Sequence, residues 1–166
     1  MYNIGDLIIY SAHGICEIDD ICEKTIAGVT KNYYVMHPLD NSHKLTISTP
    51  VDNQRVIMKE LIHEDDALAL LNSFKKPGKL WIDNPNLRNQ KYHEIVSKGN
   101  RLEIAKIINT LMRRQIEVEL EGKKFYEQDR KLLLGLQNIL FKELAIKLNM
   151  TSDEVHEKVV TFIQQK

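Results

Sequence analysis

Near residue 60 the apolar residues of this chain change period, from short β-type runs to helical spacing, so two kinds of core must form in succession. Upstream, the runs are short and rich in β-branched or aromatic residues: 7–10, 15–18, 33–36 and 45–49. Turn residues separate them, at Ala12-His13-Gly14, Ala27-Gly28 and Pro38-Leu39-Asp40-Asn41. Four or five such strands in so short a segment cannot stack as an ordinary two-sheet sandwich. A small, strongly bent SH3- or Tudor-like β-barrel is the expected solution, with one strand edge left open to pair with a partner's strand.

Downstream, residues 63–74 read as a short helix that Pro77-Gly78 stops, and Trp81 to Pro85 reads as a loop. A helix resumes over 86–98 and ends at Gly99. Asn100 caps the next, with Glu103 at the reciprocal capping-box position and Ile104, Ile107, Ile108 and Leu111 as its core stripe. A long helix follows over 126–148, and Thr151 with Glu154 caps the last. The expected fold is α+β: a β domain over 1–60 followed by an all-α helical bundle over 61–166.

Charge is distributed unevenly. The chain carries 23 basic and 23 acidic residues, which excludes a strongly basic coat or an acidic tail. Residues 75–114 nevertheless hold ten Lys/Arg against Asp83, Glu94 and Glu103. That window is either a solvated face or a localised phosphate-binding patch.

Catalytic chemistry finds little support. The six histidines are scattered, and none sits in a metal-binding or nucleophilic motif. Cys16 and Cys22 fall on one face of a strand, as small core residues do. Asp19-Asp20 and Asp65-Asp66 are adjacent pairs that point apart, unsuited to acid/base work. The expectation is a protein that is not an enzyme, with no metal, cofactor or small-molecule substrate. No apolar run reaches the roughly 20 residues a membrane helix needs. The N-terminus has no signal-peptide pattern and the two cysteines form no disulfide framework, so a reduced, cytoplasmic location is expected.

Two features suit nucleic acid. Residues 143–159 have helix-turn-helix spacing, but the outward residues would include Asp153, Glu154 and Glu157, which face phosphates badly, so a packing corner is favoured. Trp81, the sole tryptophan, lies in the basic window. It is either a core residue of the bundle or an aromatic wedge at a minor groove, with cations beside it to hold the backbone.

The opening Ile4-Gly5-Asp6-Leu7-Ile8-Ile9-Tyr10-Ser11-Ala12-His13-Gly14 resembles that of the bacterial CarD/CdnL family. Further matches follow in order: the Thr25-Ile26-Ala27-Gly28 turn before Tyr33-Tyr34-Val35, the strand Leu45-Thr46-Ile47-Ser48-Thr49-Pro50, then Leu111-Met112-Arg113-Arg114, and the long C-terminal helix. The resemblance spans almost the whole chain. It implies a transcription regulator whose Tudor-like domain, shared with the transcription-repair coupling factor, binds the RNA polymerase β subunit. Its helical domain would contact promoter DNA at the upstream edge of the bubble and stabilise the open complex.

Carried onto this chain, the resemblance places polymerase binding at Lys24, Ile47, Ser48 and Thr49. DNA binding falls to Lys79, Trp81, Arg88, Lys91 and Lys98, with Trp81 as the wedge. Better-matched members carry an Arg where Ser48 stands, which leaves that contact to backbone pairing and Lys24. In many members paired Arg follows the Trp almost directly, whereas here residues 82–87 intervene before Arg88. The family's Leu-Trp-Arg-Arg is Leu111-Met112-Arg113-Arg114 here. Two other readings stay open: an interaction adaptor that makes no DNA contact, and a small helix-turn-helix regulator.

Overall fold

The computed structural model describes residues 1–10, 13–40 and 44–165. Ser11 and Ala12 of the opening motif, Asn41 of the third turn, and His43 lie outside the described residues. The chain divides into two compact units, Met1–Leu61 and Ile62–Lys166.

The first unit is a five-stranded antiparallel sheet: β1 (Leu7–Tyr10), β2 (Gly14–Ile26), β3 (Val29–Pro38), β4 (Ile47–Pro50) and β5 (Met58–Glu60). Its centre is the long β2–β3 ribbon, paired from Cys16↔Pro38 to Ile26↔Val29. Ala27 and Gly28 close it as a two-residue loop with φ of 51° and 77°, the doubly positive pattern whose twist matches that of the flanking strands. A register shift between Ile18 and Asp20 inserts Asp19. Its carboxylate meets His37 Nδ1 at 2.8 Å. Ile8, Tyr10, Cys16, Ile18, Tyr34 and Met36 form the core on one face.

The expected barrel does not close. The strand order is β4-β3-β2-β1-β5, which leaves β4 and β5 as edges. Strands of four and three residues, separated by the turn segment 51–57, have no ladder between them. The apolar face is instead crossed by Tyr2, whose backbone N–H donates to the Tyr34 hydroxyl (3.0 Å) and whose own hydroxyl donates to the Met58 carbonyl (3.3 Å). Burial, with Glu60 and Tyr34 nearby, raises the Tyr2 phenol above its ordinary pKa.

The second unit holds α1 (Glu64–Asn72) with a 3-10 turn (Ser73–Lys75), α2 (Pro85–Ser97), α3 (Arg101–Leu120), α4 (Glu127–Leu148) and α5 (Ser152–Gln164). Asn84, with Pro85 at the first helical position, caps α2 through the Leu87 N–H at 3.0 Å. Asn100 and Thr151 cap α3 and α5 through the N–H groups of Glu103 and Glu154, both at 3.1 Å. The reciprocal half of the Asn100 box gives way to ion pairing, because the Glu103 carboxylate faces Lys79 and Lys106. The core is centred on Phe74, Ile107, Ile108, Leu111, Leu133 and Leu144. Among the described residues, no helix is long and apolar enough to cross a membrane.

Candidate functional site

Each unit presents one arrangement with functional potential. In the sheet it is the outer edge of β4. The pairs Met36↔Ile47, Val35↔Ser48, Tyr34↔Thr49 and Tyr33↔Pro50 set the register. Beyond them the Val51 N–H donates to the Asn32 carbonyl at 2.9 Å, marking a hydrogen-bonded pair. Alternation along an antiparallel ladder then turns the N–H groups of Ile47 and Thr49 toward β3 and the polar backbone of Ser48 toward the open side. Pro50 falls where the ladder asks for no donor.

The side chains divide the same way. Thr49 is buried and Ile47 packs on the core, while Ser48 is exposed. Lys24 reaches from β2 to donate to Ser48 Oγ at 2.8 Å. Of the four residues expected at this edge, Lys24 and Ser48 therefore offer side chains, and Ile47 and Thr49 hold the strand in place. The strand is shorter than the expected 45–49 run, since Leu45 and Thr46 stand outside it.

In the helical unit the arrangement is built around the loop that carries Trp81. One face of α3 stitches that loop down. Asn109 Nδ2 donates to the Lys76 carbonyl (2.7 Å), Thr110 Oγ1 to that of Lys79 (2.8 Å), and Arg113 Nη2 to that of Phe74 (3.0 Å). Gly78 lies so close that an added Cβ would fall 2.3 Å from the Lys106 carbonyl oxygen. A Cβ at that distance cannot be accommodated, so glycine is required for the approach.

From the other side α2 holds the peptide around Trp81. Arg88 Nη1 donates to the Ile82 carbonyl at 2.7 Å, and the Tyr92 hydroxyl donates to that of Leu80 at 3.4 Å. Arg88 itself is anchored by a two-pronged bond to Asp129 on α4, Nε to Oδ1 at 3.0 Å and Nη2 to Oδ2 at 2.6 Å. Its guanidinium carbon sits 4.2 Å from the centre of the Trp81 ring, and that of Arg114 sits 5.3 Å away. Tyr126 adds a second aromatic side chain to the stack, 5.9 Å from Arg88.

Arg88 was expected as a phosphate contact, and its placement does not allow that role. It is only 3 % exposed, Asp129 4 %, and the donors are directed to protein acceptors. Trp81 is half-buried against the bundle core, between the two expectations for it. The fully exposed apolar side chain of the loop is its neighbour Leu80, at 91 %. No alternation within Leu80-Trp81-Ile82 signals the difference, since Trp81 and Ile82, adjacent in sequence, both pack inward.

The formal charge of the window overstates what solvent meets. Arg101 bonds the buried carboxylate of Glu143, Arg113 bonds backbone carbonyls, and Lys79, Lys91, Lys106 and Arg114 pair with Glu103, Glu94, Glu103 and Glu117. The hydrogen bond from Lys79, reinforced by Lys106, holds the Glu103 carboxyl below the usual carboxylate range. Among the described residues of the window, Lys75, Lys76 and Lys98 are exposed and carry no ion pair, with Lys75 lying over the Phe162 ring.

At the 143–159 corner, Asn149 ends α4 in the left-handed conformation, and Ala145, Val155 and Val159 are buried. Asp153, Glu154 and Glu157 point outward. The corner packs through these apolar side chains. Among the described residues, no three His, Cys, Asp or Glu side chains group as a metal site.

Comparison with protein families matches each unit separately. The family model of the CarD-like/TRCF RID domain covers residues 2–62, and that of the CarD C-terminal domain covers residues 69–160. The chain belongs to the CarD family. Its first CarD domain is of the RNA-polymerase-interacting type, which places the protein in polymerase-associated transcription regulation. The second CarD domain contains the whole of the Trp81 stack, from Phe74 to Asp129.

Proposed function

We propose that this protein binds the RNA polymerase β subunit by adding a strand to the outer edge of β4, and promoter DNA through the Trp81 loop at the upstream edge of the bubble. Its effect is to lengthen the life of the open complex. One observation carries the reading: an aromatic side chain is fixed, half-exposed, in a loop held from both sides by hydrogen bonds, next to an exposed leucine. Such rigidity is what a contact to DNA needs if it is to favour the melted state over the closed one, since only differential affinity shifts a population. Lys79, Lys91 and Lys98 are the assigned phosphate contacts, with Arg88 recast as the anchor of the loop. Few free cations mean weak binding on their own, and the polymerase tether supplies the effective concentration.

The test is Ser48→Pro, which removes an outward donor and leaves the β3–β4 ladder donors in place. Wild-type protein should be captured by a polymerase β fragment and should prolong open-complex life after heparin challenge. The folded variant should lose both effects. Undiminished capture by Ser48→Pro refutes the edge, and an open-complex life indifferent to the wild-type protein refutes the function.

The ion-paired state of Lys79, Lys91 and Arg114 favours one second reading, an adaptor whose helical unit meets a protein rather than DNA. Salt distinguishes them, because phosphate binding weakens steeply with ionic strength and an apolar protein contact does not.

A further inference from the structure

We infer that Glu143 is a positioning residue for the joint between the two units, holding the first backbone N–H of the helical unit in place. Leu61 ends the first unit and Ile62 begins the second. Only residues 61–63 separate β5 from α1, so the joint is short. Its two adjacent side chains are buried in different cores, Leu61 with Ile9 and Ile15, and Ile62 in that of the helices. Between those anchors lies the Leu61–Ile62 peptide, whose N–H donates to Glu143 Oε2 at 2.9 Å. Glu143 is 1 % exposed and sits on α4, eighty-one residues further along the chain.

The surroundings of this carboxylate point to direction rather than packing. An ionised group is costly to bury unless it is paired and hydrogen-bonded. Arg101 supplies the pairing, its Nε donating to Oε1 at 2.9 Å and its Nη2 to Oε2 at 2.8 Å. A cation in the first turn of a helix opposes the macrodipole, so Glu143, not α3 itself, accounts for Arg101 at that helix start. Leu140, Phe141 and Leu144 of α4 already fill the core beside it. What Glu143 adds is an acceptor aimed at one particular N–H. The grip falls just before His63, which caps α1 without a side-chain hydrogen bond. A joint held in this way is a stiff tether. In the proposed function, stiffness raises the effective concentration of the DNA-contacting unit at its site on the polymerase-bound promoter. That consequence rests on the proposed function; the grip itself does not.

The experiment uses full-length protein: wild type, Glu143→Gln, and the double variant Arg101→Met/Glu143→Leu, whose apolar pair leaves no buried charge unpaired. Trp81 fluorescence in urea establishes that the helical unit is folded in each. In the double variant the Ile62 amide should exchange with deuterium roughly tenfold faster than in wild type, the loss of one hydrogen bond to a charged acceptor. Backbone amide NMR relaxation should give a single rotational correlation time for both units of the wild type, and two different ones in the double variant. Glu143→Gln, which keeps an acceptor for the Ile62 N–H, should stay with wild type on both readouts. With polymerase holoenzyme, the double variant should be captured as well as wild type but hold the open complex for a several-fold shorter time. Two correlation times in wild type, or a folded double variant that matches wild type in exchange and relaxation, overturn the inference. So does a double variant that unfolds, which would make the pair a support of the fold rather than of the joint. Failure of the underlying reading looks different: wild-type protein then leaves open-complex life unchanged while the relaxation contrast persists.

Discussion

Replacing Asp129 with alanine isolates the anchor beneath Trp81. The Arg88 guanidinium has five N–H donors. Nε and Nη2 bond Asp129, and Nη1 bonds the Ile82 carbonyl with a longer contact of 3.3 Å to that of Asp83. With both side chains almost fully buried, removing Asp129 leaves a cation without its counter-charge and two donors without acceptors. Breaking one partner of such a pair costs about 3–5 kcal/mol. For a helical unit of this size, that lowers the thermal midpoint by roughly 14–22 °C. Trp81 is the sole tryptophan and lies in the helical unit, so its fluorescence follows that unit alone in a urea titration. The double variant Arg88→Met/Asp129→Leu should regain most of the stability, because replacing a buried pair with apolar groups of similar volume removes the desolvation penalty with the attraction. It should not regain open-complex stabilisation, since the Ile82 carbonyl loses its donor. A loss under about 1 kcal/mol for Asp129→Ala, with Trp81 emission unchanged, refutes the reasoning.

Other positions give sharp expectations. Gly78→Ala should cost about 1–3 kcal/mol by pushing the loop off α3, whereas Gly135→Ala, mid-α4 with open space around it, should gain about 0.5–1 kcal/mol; chemical denaturation of the two variants reads the opposite signs. Burial pushes the Cys16 thiol up to about 11, so iodoacetamide at neutral pH should label the more accessible Cys22 first and reach Cys16 only on unfolding, as peptide mapping would show. Because the folded-state pKa of Glu103 is lowered, its contribution to stability is present above the ordinary carboxylate value of 4.5 and fades as pH falls through the lower folded value. Glu103→Gln should therefore make the acid limb of the stability curve shallower, and high salt should shrink the difference, since the pair is partly exposed.

The turns and helix caps were legible because their causes are local. Ala27-Gly28, Asn100 and Thr151 each act within three residues of themselves. Strand lengths were not. The second half of β2 reads Asp19-Asp20-Ile21-Cys22-Glu23-Lys24, whose polarity hides how far the strand runs, yet the two-residue loop at 27–28 zips it onto β3 along its whole length. Closure of the barrel depended on β4 and β5 reaching each other, which no apolar run encodes. The role of Arg88 was equally hidden, since its counter-charge lies forty-one residues away. Burial of Trp81 against exposure of Leu80 was decided by Asn109, Thr110 and Arg113, side chains of a helix whose sequence betrays only its core stripe.

Helix α2 has just two fully buried side chains, Arg88 and Tyr92, and both end in polar groups bonded to the Trp81 loop. An element anchored so sparsely by apolar burial opens locally at a smaller free energy than the unit around it, and its amides exchange with solvent accordingly. Whatever ligand the loop holds in place must then also hold α2 closed, since the free energy of the two events is shared. Slowed deuterium uptake across residues 88–97 would thus report occupancy of the loop from a helix that need not itself touch the ligand.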